Sequence, residues 1–219
     1  KLPKEEIIET YAKLFTKGIE ELNLPSKTRI AISLSGGLDS RWIAQIASKK
    51  FDIDAFTFST ENNYETSLAV KVAHTLNIKH HNPVIEKKNW LINRLNAFWK
   101  TDGMLHLGHL HEGSIHKQVY SEYTHCYHGF YGGGIYASTN ECNHEITTEI
   151  AKAHFKFKNS DTNTEDPFYQ MQSIDPYIVD QKIRYQSAYS IYLLSTYCKM
   201  IIPFYNMDWL EFNYSIDDQ

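Results

Sequence analysis

The chain has 219 residues, 42% of them hydrophobic and 22% charged, and its 26 acidic and 22 basic side chains leave a formal net charge of −4. A chain of this length buries about 70% of its unfolded surface, so one soluble domain over 1–219 needs neither disulfides nor metal to hold its core. The mild acidity argues against a dedicated nucleic-acid binder, which needs a basic excess to neutralise phosphates, but leaves room for an anionic small ligand held by a few local donors.

From Pro3 to Leu22, Ile7, Ile8, Tyr11, Leu14, Phe15 and Ile19 recur at helical spacing among Lys and Glu, which predicts an amphipathic helix. After Pro25, the apolar run Arg29 to Leu34 is bounded by turn residues, as a strand buried in a parallel sheet is. SGGLDS (Ser35 to Ser40) follows, then Trp42, Ile43, Ile46 and Ala47 at helical spacing: a strand, a glycine loop and a helix. Ile53 to Ser59 reads as a strand, Glu65 to Leu76 as a helix with Leu68, Val72 and Leu76 on one face, and His80 to Ile85 as extended. Lys88 to Trp99 reads as a helix, and Tyr123 to His128 as a fourth strand entering Gly129, Gly132, Gly133 and Gly134. Asn159 to Asp166 reads as a polar surface loop. A long helical pattern from Val179 to Cys198 is ended by Pro203, and a last helix lies near Asp208 to Tyr214. Strands alternating with helices imply right-handed crossovers, hence an α/β fold: a doubly wound parallel sheet with helices on both faces and a helical C-terminal part.

Cys126, Cys142 and Cys198 are odd in number, widely spaced and without a CxxC pair, and so read as reduced interior thiols of an intracellular protein. No run approaches the ~18 apolar residues of a membrane span, and the start lacks a signal peptide's apolar stretch. A cytoplasmic protein with no membrane partner is expected. Because the chain begins at Lys1 rather than Met, a processed or excised piece of a longer protein is expected too.

In SGGLDS the glycines allow a tight turn that exposes N–H groups, and the positive end of the next helix points at the same spot. Together they shape a site for phosphate oxygens. The Ser35 and Ser40 hydroxyls can add donors; Asp39 would repel phosphate directly, so its natural task is to hold a Mg²⁺ that bridges phosphates. The loop is not a Walker motif, since Arg41 follows Ser40 and the loop holds no lysine. A plain strand-to-helix turn is the bland alternative, but the loop falls at the carboxyl end of the first strand, where open α/β sheets place ligands.

AISLSGGLDSR resembles the pyrophosphate loop of the ATP pyrophosphatases, most closely that in the synthetase domain of asparagine synthetases and their relatives. FTFST, followed by Glu65, Ala69, Val72, Ala73 and the pair His80 and His81, is similar to that family's second strand, carboxylate-headed helix and His-His ending. IIPFYNMDWLEF resembles its VPFLD segment and the short helix after it, so the likeness runs from Ile30 to Phe212. It implies an adenine nucleotide alpha hydrolase-like fold with Ser35, Gly36, Gly37, Leu38, Asp39 and Ser40 around the pyrophosphate of ATP. Asp39 would be the magnesium ligand and a catalytic residue, while Leu34, Thr60, His128 and Gly129 would lie beside the adenine. The implied reaction is attack of a carboxylate on the α-phosphate, giving an acyl-adenylate and pyrophosphate, after which an amine displaces AMP to form an amide. ATP and Mg²⁺ are the implied cofactors. A carboxylate-bearing small molecule or peptide, an amine donor and a glutaminase partner or domain are the implied partners.

The family's second signature reads GDGGDELFGGY or GEGSDEIFGGY, whereas this chain reads HGFYGGGIY from His128 to Tyr136. Aligned on Gly129, the acidic positions hold Phe130, Gly133 and Gly134. That loss supports the alternative of a catalytically degenerate relative that binds a nucleotide or a partner protein without turnover. The family's N-terminal cysteine with its glutaminase domain, and its lysine-bearing segment beyond PFLD, also have no counterpart, which reinforces the expectation of a fragment.

His106, His109, His111 and His116 cluster, with His125 and His128 after them. His106 and His109 have the spacing of a metal pair, but a polar helix face is the plainer reading. Asp102 with Gly103 reads as a turn, with an acid facing the loop as its alternative. Arg184, followed by Tyr185, Tyr189 and Tyr192, is the candidate catalytic guanidinium for a carboxylate or phosphate, against the plain reading of an aromatic-packed helix with a solvated Arg. Lys199 does not match the family's catalytic lysine. Sulfur transfer to tRNA through the same loop is disfavoured by the acidic balance and the cysteine spacing.

Overall fold

The computed structural model describes residues 2–61, 63–85, 90–105, 107–110, 116–132 and 187–216. The early apolar stripe forms α1 (Lys4–Glu20), which buries Phe15 and Ile19. Then come β1 (Arg29–Ser33), α2 (Leu38–Lys50), β2 (Asp52–Phe56), α3 (Tyr64–Thr75), β3 (Lys79–His81), α4 (Trp90–Lys100), α5 (His116–Tyr120) and β4 (His125–Tyr127). After residue 186, α6 (Ala188–Ser195), β5 (Lys199–Ile201) and α7 (Met207–Ser215) close the sequence of elements, with 3₁₀ turns at Leu107–Leu110 and Pro203–Tyr205.

All strand pairs are parallel, and the order is β3-β2-β1-β4-β5. The chain winds outward from β1 to β3, then returns to the other side of β1. Both faces of the sheet are covered, and the central β1 accordingly carries the apolar run Ile30-Ala31-Ile32, whereas the edge strand β3 is Lys79-His80-His81. Ile30, Ile32, Ile53, Ala55 and Tyr127 pack with Phe15, Ile43, Ala44, Ala47, Ala69 and Trp209 in one cluster; Ala31, Phe56 and Cys126 pack with Val119, Tyr120 and Leu194 in another. The doubly wound α/β reading therefore holds. Phe15 stacks on Trp42 at 3.9 Å, which docks α1 on α2.

Three sequence expectations shift. In α3 the face turned to the core is Thr66, Ala69 and Ala73, with Leu68 and Val72 only half-buried, because a helix lying close to a sheet needs small side chains at the contact and places larger ones along its flanks. The pairing of β2 stops at Phe56, and Ser59 makes a single parallel bridge to Val84. The late helix ends at Ser195, and the run after Cys198 is a fifth strand in register with β4 (Cys126 beside Met200), a three-residue strand too short to show a period of its own. The 179–186 part of that expected helix, Cys142 and the 159–166 loop lie outside the described residues. Cys126 and Cys198 lie in the interior, as expected.

Several tyrosines act as hydroxyl tethers inside the core. Tyr127 donates to the Ile19 carbonyl at 2.9 Å, and Tyr11 donates to the side chain of Asn213, which ties α1 to α7. Tyr123 donates at 2.5 Å to the buried Asp54 carboxylate, which also accepts from Arg29 Nε at 2.6 Å. Burial pushes the Asp54 carboxyl up, but hydrogen bonds from Tyr123 and Arg29, aided by the charges of Arg29 and Lys79, outweigh it and leave it below its ordinary value. The linked stability is therefore complete above the unfolded Asp pKa of about 3.9 and is lost as pH falls through the lower folded value. Asp54→Asn is expected to cost about 1–3 kcal/mol at neutral pH and to flatten the acid limb of stability, measured by urea unfolding over a pH series. An acid limb identical to the parent's would show that the cluster is a bystander.

Candidate functional site

Because every strand runs the same way, the segments after β1, β2, β4 and β5 leave the sheet at one edge. The order reverses between β1 and β4, and the crevice at such a reversal is where α/β sheets receive ligands. The loop at 35–40 and the loop at 128–132 meet there.

The first loop is shaped by one glycine more than by two. Gly36 has φ +66°, and a Cβ on it would stand 3.1 Å from the Glu65 carbonyl and 3.2 Å from Leu68 Cβ, so both its conformation and the approach of α3 demand glycine. Gly37 has an extended backbone (φ −73°, ψ 162°) and is the N-cap of α2. No side chain caps that end, so the first N–H groups of a 13-residue helix face the sheet edge without intrahelical partners, an anion-attracting terminus.

The two serines differ. Ser40 is buried, and its hydroxyl staples the loop from within: it accepts from Ser35 N–H at 3.2 Å and donates to the Gly37 carbonyl at 3.3 Å. Ser35 is exposed at the edge. Leu38 is 76% exposed, and Arg41 Nε donates back to the Gly37 carbonyl at 3.2 Å.

Asp39, in the first turn of α2, is where the first loop meets Gly132 of the second. A Cβ on Gly132 would fall 2.3 Å from Asp39 Oδ2 and 2.4 Å from its Cγ. The carboxylate thus occupies the space that the missing side chain leaves, and Gly129 lies against the same turn, a Cβ there standing 3.5 Å from Ser40 N. Asp39 is the single carboxylate of residues 34–41, and residues 128–132 have none. Among the described residues no three His, Cys, Asp or Glu side chains gather as a metal cluster. Magnesium bound through one carboxylate together with phosphate oxygens and waters fits this donor set; an all-protein cage does not.

Below the loop, Leu34 has its side chain wholly in the core and its N–H on the Phe56 carbonyl at 2.8 Å. The Leu34 carbonyl accepts from Thr57 Oγ1 at 2.5 Å, and Thr57 Oγ1 lies 2.9 Å from His80 Nε2. A hydroxyl has one proton to give, so His80 Nε2 carries the hydrogen in the second bond. Burial, then the neighbouring His81, lowers the His80 pKa. This Thr57–His80 brace was missed in the sequence; the His-His pair at the end of β3 was its one visible signal.

Thr60 is exposed in the bend after β2. His128 donates its N–H to the Ile201 carbonyl at 3.0 Å, and its ring stacks on Phe130 at 3.7 Å. Tyr131 has φ +73°, a conformation natural to glycine, and the second signature has glycine at this place. Arg184, Tyr185, His106 and His111 lie outside the described residues, as do Gly133 and Gly134. Tyr189 packs into the cluster of Ala97 and Leu193, Tyr192 is exposed, and His116 is buried beside Tyr120. Asp102 sits at φ +50° in the turn that ends α4, the plain reading of that residue. Lys199 begins β5, at the opposite edge from the loops.

The contrast between the two glycines is measurable. Gly36→Ala is expected to destabilise the fold by about 1–2 kcal/mol more than Gly37→Ala, since only Gly36 holds the left-handed conformation. Urea unfolding of the two variants checks this; equal losses would contradict the loop geometry.

The asparagine synthase family model matches residues 21–106. No curated protein sequence matches the chain. Among solved structures it is similar to the U34-tRNA thiolase NcsA from Methanococcus maripaludis with its 4Fe-4S cluster, at 20% identity and a TM-score of 0.41 over 57% of this chain and 46% of that one. It is also similar to the NH3-dependent NAD synthetase from Campylobacter jejuni, at 20% identity and a TM-score of 0.33 over 53% of this chain and 49% of that one. The NMN synthetase from Francisella tularensis matches at 19% identity and a TM-score of 0.29 over 47% of this chain and 48% of that one. The matched part thus spans under half the length of each of these structures. The likeness carried by SGGLDS is shown for residues 21–106, which hold β1 to β3 with the loop at 35–40 and match the synthetase domain of the asparagine synthase family.

Proposed function

We propose that the chain binds ATP at the carboxyl edge of its sheet and activates a carboxylate as the acyl-adenylate for amide formation. The observation that carries this reading is the SGGLDS loop, inside the family match, leading into a helix N-terminus that no side chain caps at the β1/β4 reversal. In the reaction a substrate carboxylate oxygen attacks the α-phosphorus and the bond to the pyrophosphate oxygen breaks. An amine nitrogen then attacks the acyl carbon, loses a proton, and AMP departs. Charge builds on the leaving pyrophosphate in the first step, and preorganised N–H donors at the α2 terminus would stabilise it.

In this reading residues 35–40 hold the phosphates: Ser35 and the N–H groups of Leu38 and Asp39 act as donors, Gly36 shapes the turn, Gly37 caps the helix with its N–H on Ser35 Oγ at 3.4 Å, and Ser40 fixes the loop from inside. Leu34, whose side chain is in the core, would lie beneath the adenine, with Thr60 on one side and His128 and Gly129 on the other. Asp39 would hold Mg²⁺, which when bound neutralises charge on the phosphates. Arg184 is the candidate to pair with the substrate carboxylate. A carboxylate-bearing small molecule or peptide, an amine donor, a glutaminase source of ammonia and a cytoplasmic setting complete the reading. Among the described residues no helix is long and apolar enough to cross a membrane.

A second reading, nucleotide binding without turnover, is favoured by one observation: Phe130 stands where the second signature has a carboxylate. ATP–pyrophosphate exchange over a panel of carboxylates separates the two. The proposal expects exchange with at least one carboxylate and a drop on the order of a hundredfold in Asp39→Ala, the scale for removing one charge-stabilising group. Nucleotide binding with no exchange across the panel would replace it by the second reading.

A further inference from the structure

We infer that Gly132 and Tyr131 are positioning residues for Asp39, so that the loop after β4 aims the carboxylate by packing where the second signature would supply acids of its own. The inference rests on the reading of Asp39 as the acid of the nucleotide site. Three observations carry it. The Asp39 carboxylate fills the space over Gly132, where any Cβ would collide with Oδ2 at 2.3 Å, Cγ at 2.4 Å and Oδ1 at 2.9 Å. The atoms that a Cβ would meet all belong to the end of the Asp39 side chain, so it is the carboxylate that would have to move aside, and its present position depends on residue 132 having no side chain.

The residue before it is held in place at a conformational cost. Tyr131 at φ +73° persists in a left-handed conformation only because its surroundings impose it. Its half-buried ring lies between Phe130, at 6.3 Å, and Tyr205, at 5.7 Å, and packs on the main core cluster. Tyr205 ends the 3₁₀ turn that follows β5. A line of contacts thus runs from the segment after β5, through the ring of Tyr131 and the backbone of Gly132, to the carboxylate on the first turn of α2. The third observation is chemical: with Phe130 in the loop, residues 128–132 bring no carboxylate of their own, so Asp39 is the acid at this contact.

A double-mutant cycle tests this. ATP is titrated calorimetrically into the parent, Gly132→Ala, Asp39→Ala and the double variant, each with Mg²⁺ and with EDTA. Gly132→Ala is expected to weaken binding about tenfold with Mg²⁺ and less than about twofold in EDTA, and to add less than about twofold in the Asp39→Ala background, where the three colliding atoms are gone. Equal losses with and without metal, or a full loss that persists without the Asp39 carboxylate, would make Gly132 a fold glycine and overturn the inference. If Gly132→Ala does not fold, Tyr131→Ala takes its place with the same expected pattern. If the parent binds no ATP, the proposed function fails, and the inference is then decided by the Asp39 ¹³Cγ NMR resonance. That resonance is expected to move in Gly132→Ala; an unmoved resonance overturns the inference.

Discussion

The arrangement depends on β1 lying between β2 and β4 in a wholly parallel sheet. Parallel pairing sends every strand's carboxyl end to one edge, and the reversal of strand order at β1 opens a crevice there. Into that crevice point the loop that opens α2 and the loop that leaves β4. Neither loop makes a site alone. The first supplies a helix terminus that no side chain caps and one acid, and the second supplies the wall against which that acid rests.

Each part of the site is braced by the core directly beneath it. Leu34 is anchored at both backbone polar groups, by Phe56 and by Thr57, and Thr57 is itself held by His80 on the neighbouring β3. Ser40 closes the loop from inside. The bracing matters because stabilising charge on a departing pyrophosphate requires donors that are already in place and cost no reorganisation. On the proposed reading, the rigid scaffold and the exposed N–H groups serve the same end.

The strand, glycine loop and first helices were legible because their signals are local: the apolar run of β1, the turn residues and the helical spacing of α2 all sit within a short window. β5 was not, since three residues carry no period and its partner β4 is distant in sequence. The face of α3 was misread by one position because hydrophobicity favours Leu68 and Val72, whereas closeness to the sheet favours Ala69 and Ala73. Asp39 was legible as a chemical group; its contact with Gly132 was not, because a glycine's fit against a distant side chain leaves no mark on composition or spacing. The departure at HGFYGGGIY was visible as missing acids, but the left-handed Tyr131 became visible only with the backbone. Of the 15 tyrosines, Tyr11, Tyr123 and Tyr127 serve as hydroxyl tethers, a role that spacing along the chain does not mark.

The central claim is that the first turn of α2, with its loop, is a pyrophosphate site at the β1/β4 edge. Titration of the ¹⁵N-labelled protein with inorganic pyrophosphate, followed by amide NMR, tests it most directly. The largest shifts are expected on the amides of Gly36, Gly37, Leu38 and Asp39, with smaller ones at Gly129 and Gly132. Shifts confined to other surfaces, or none at saturating pyrophosphate, would contradict it.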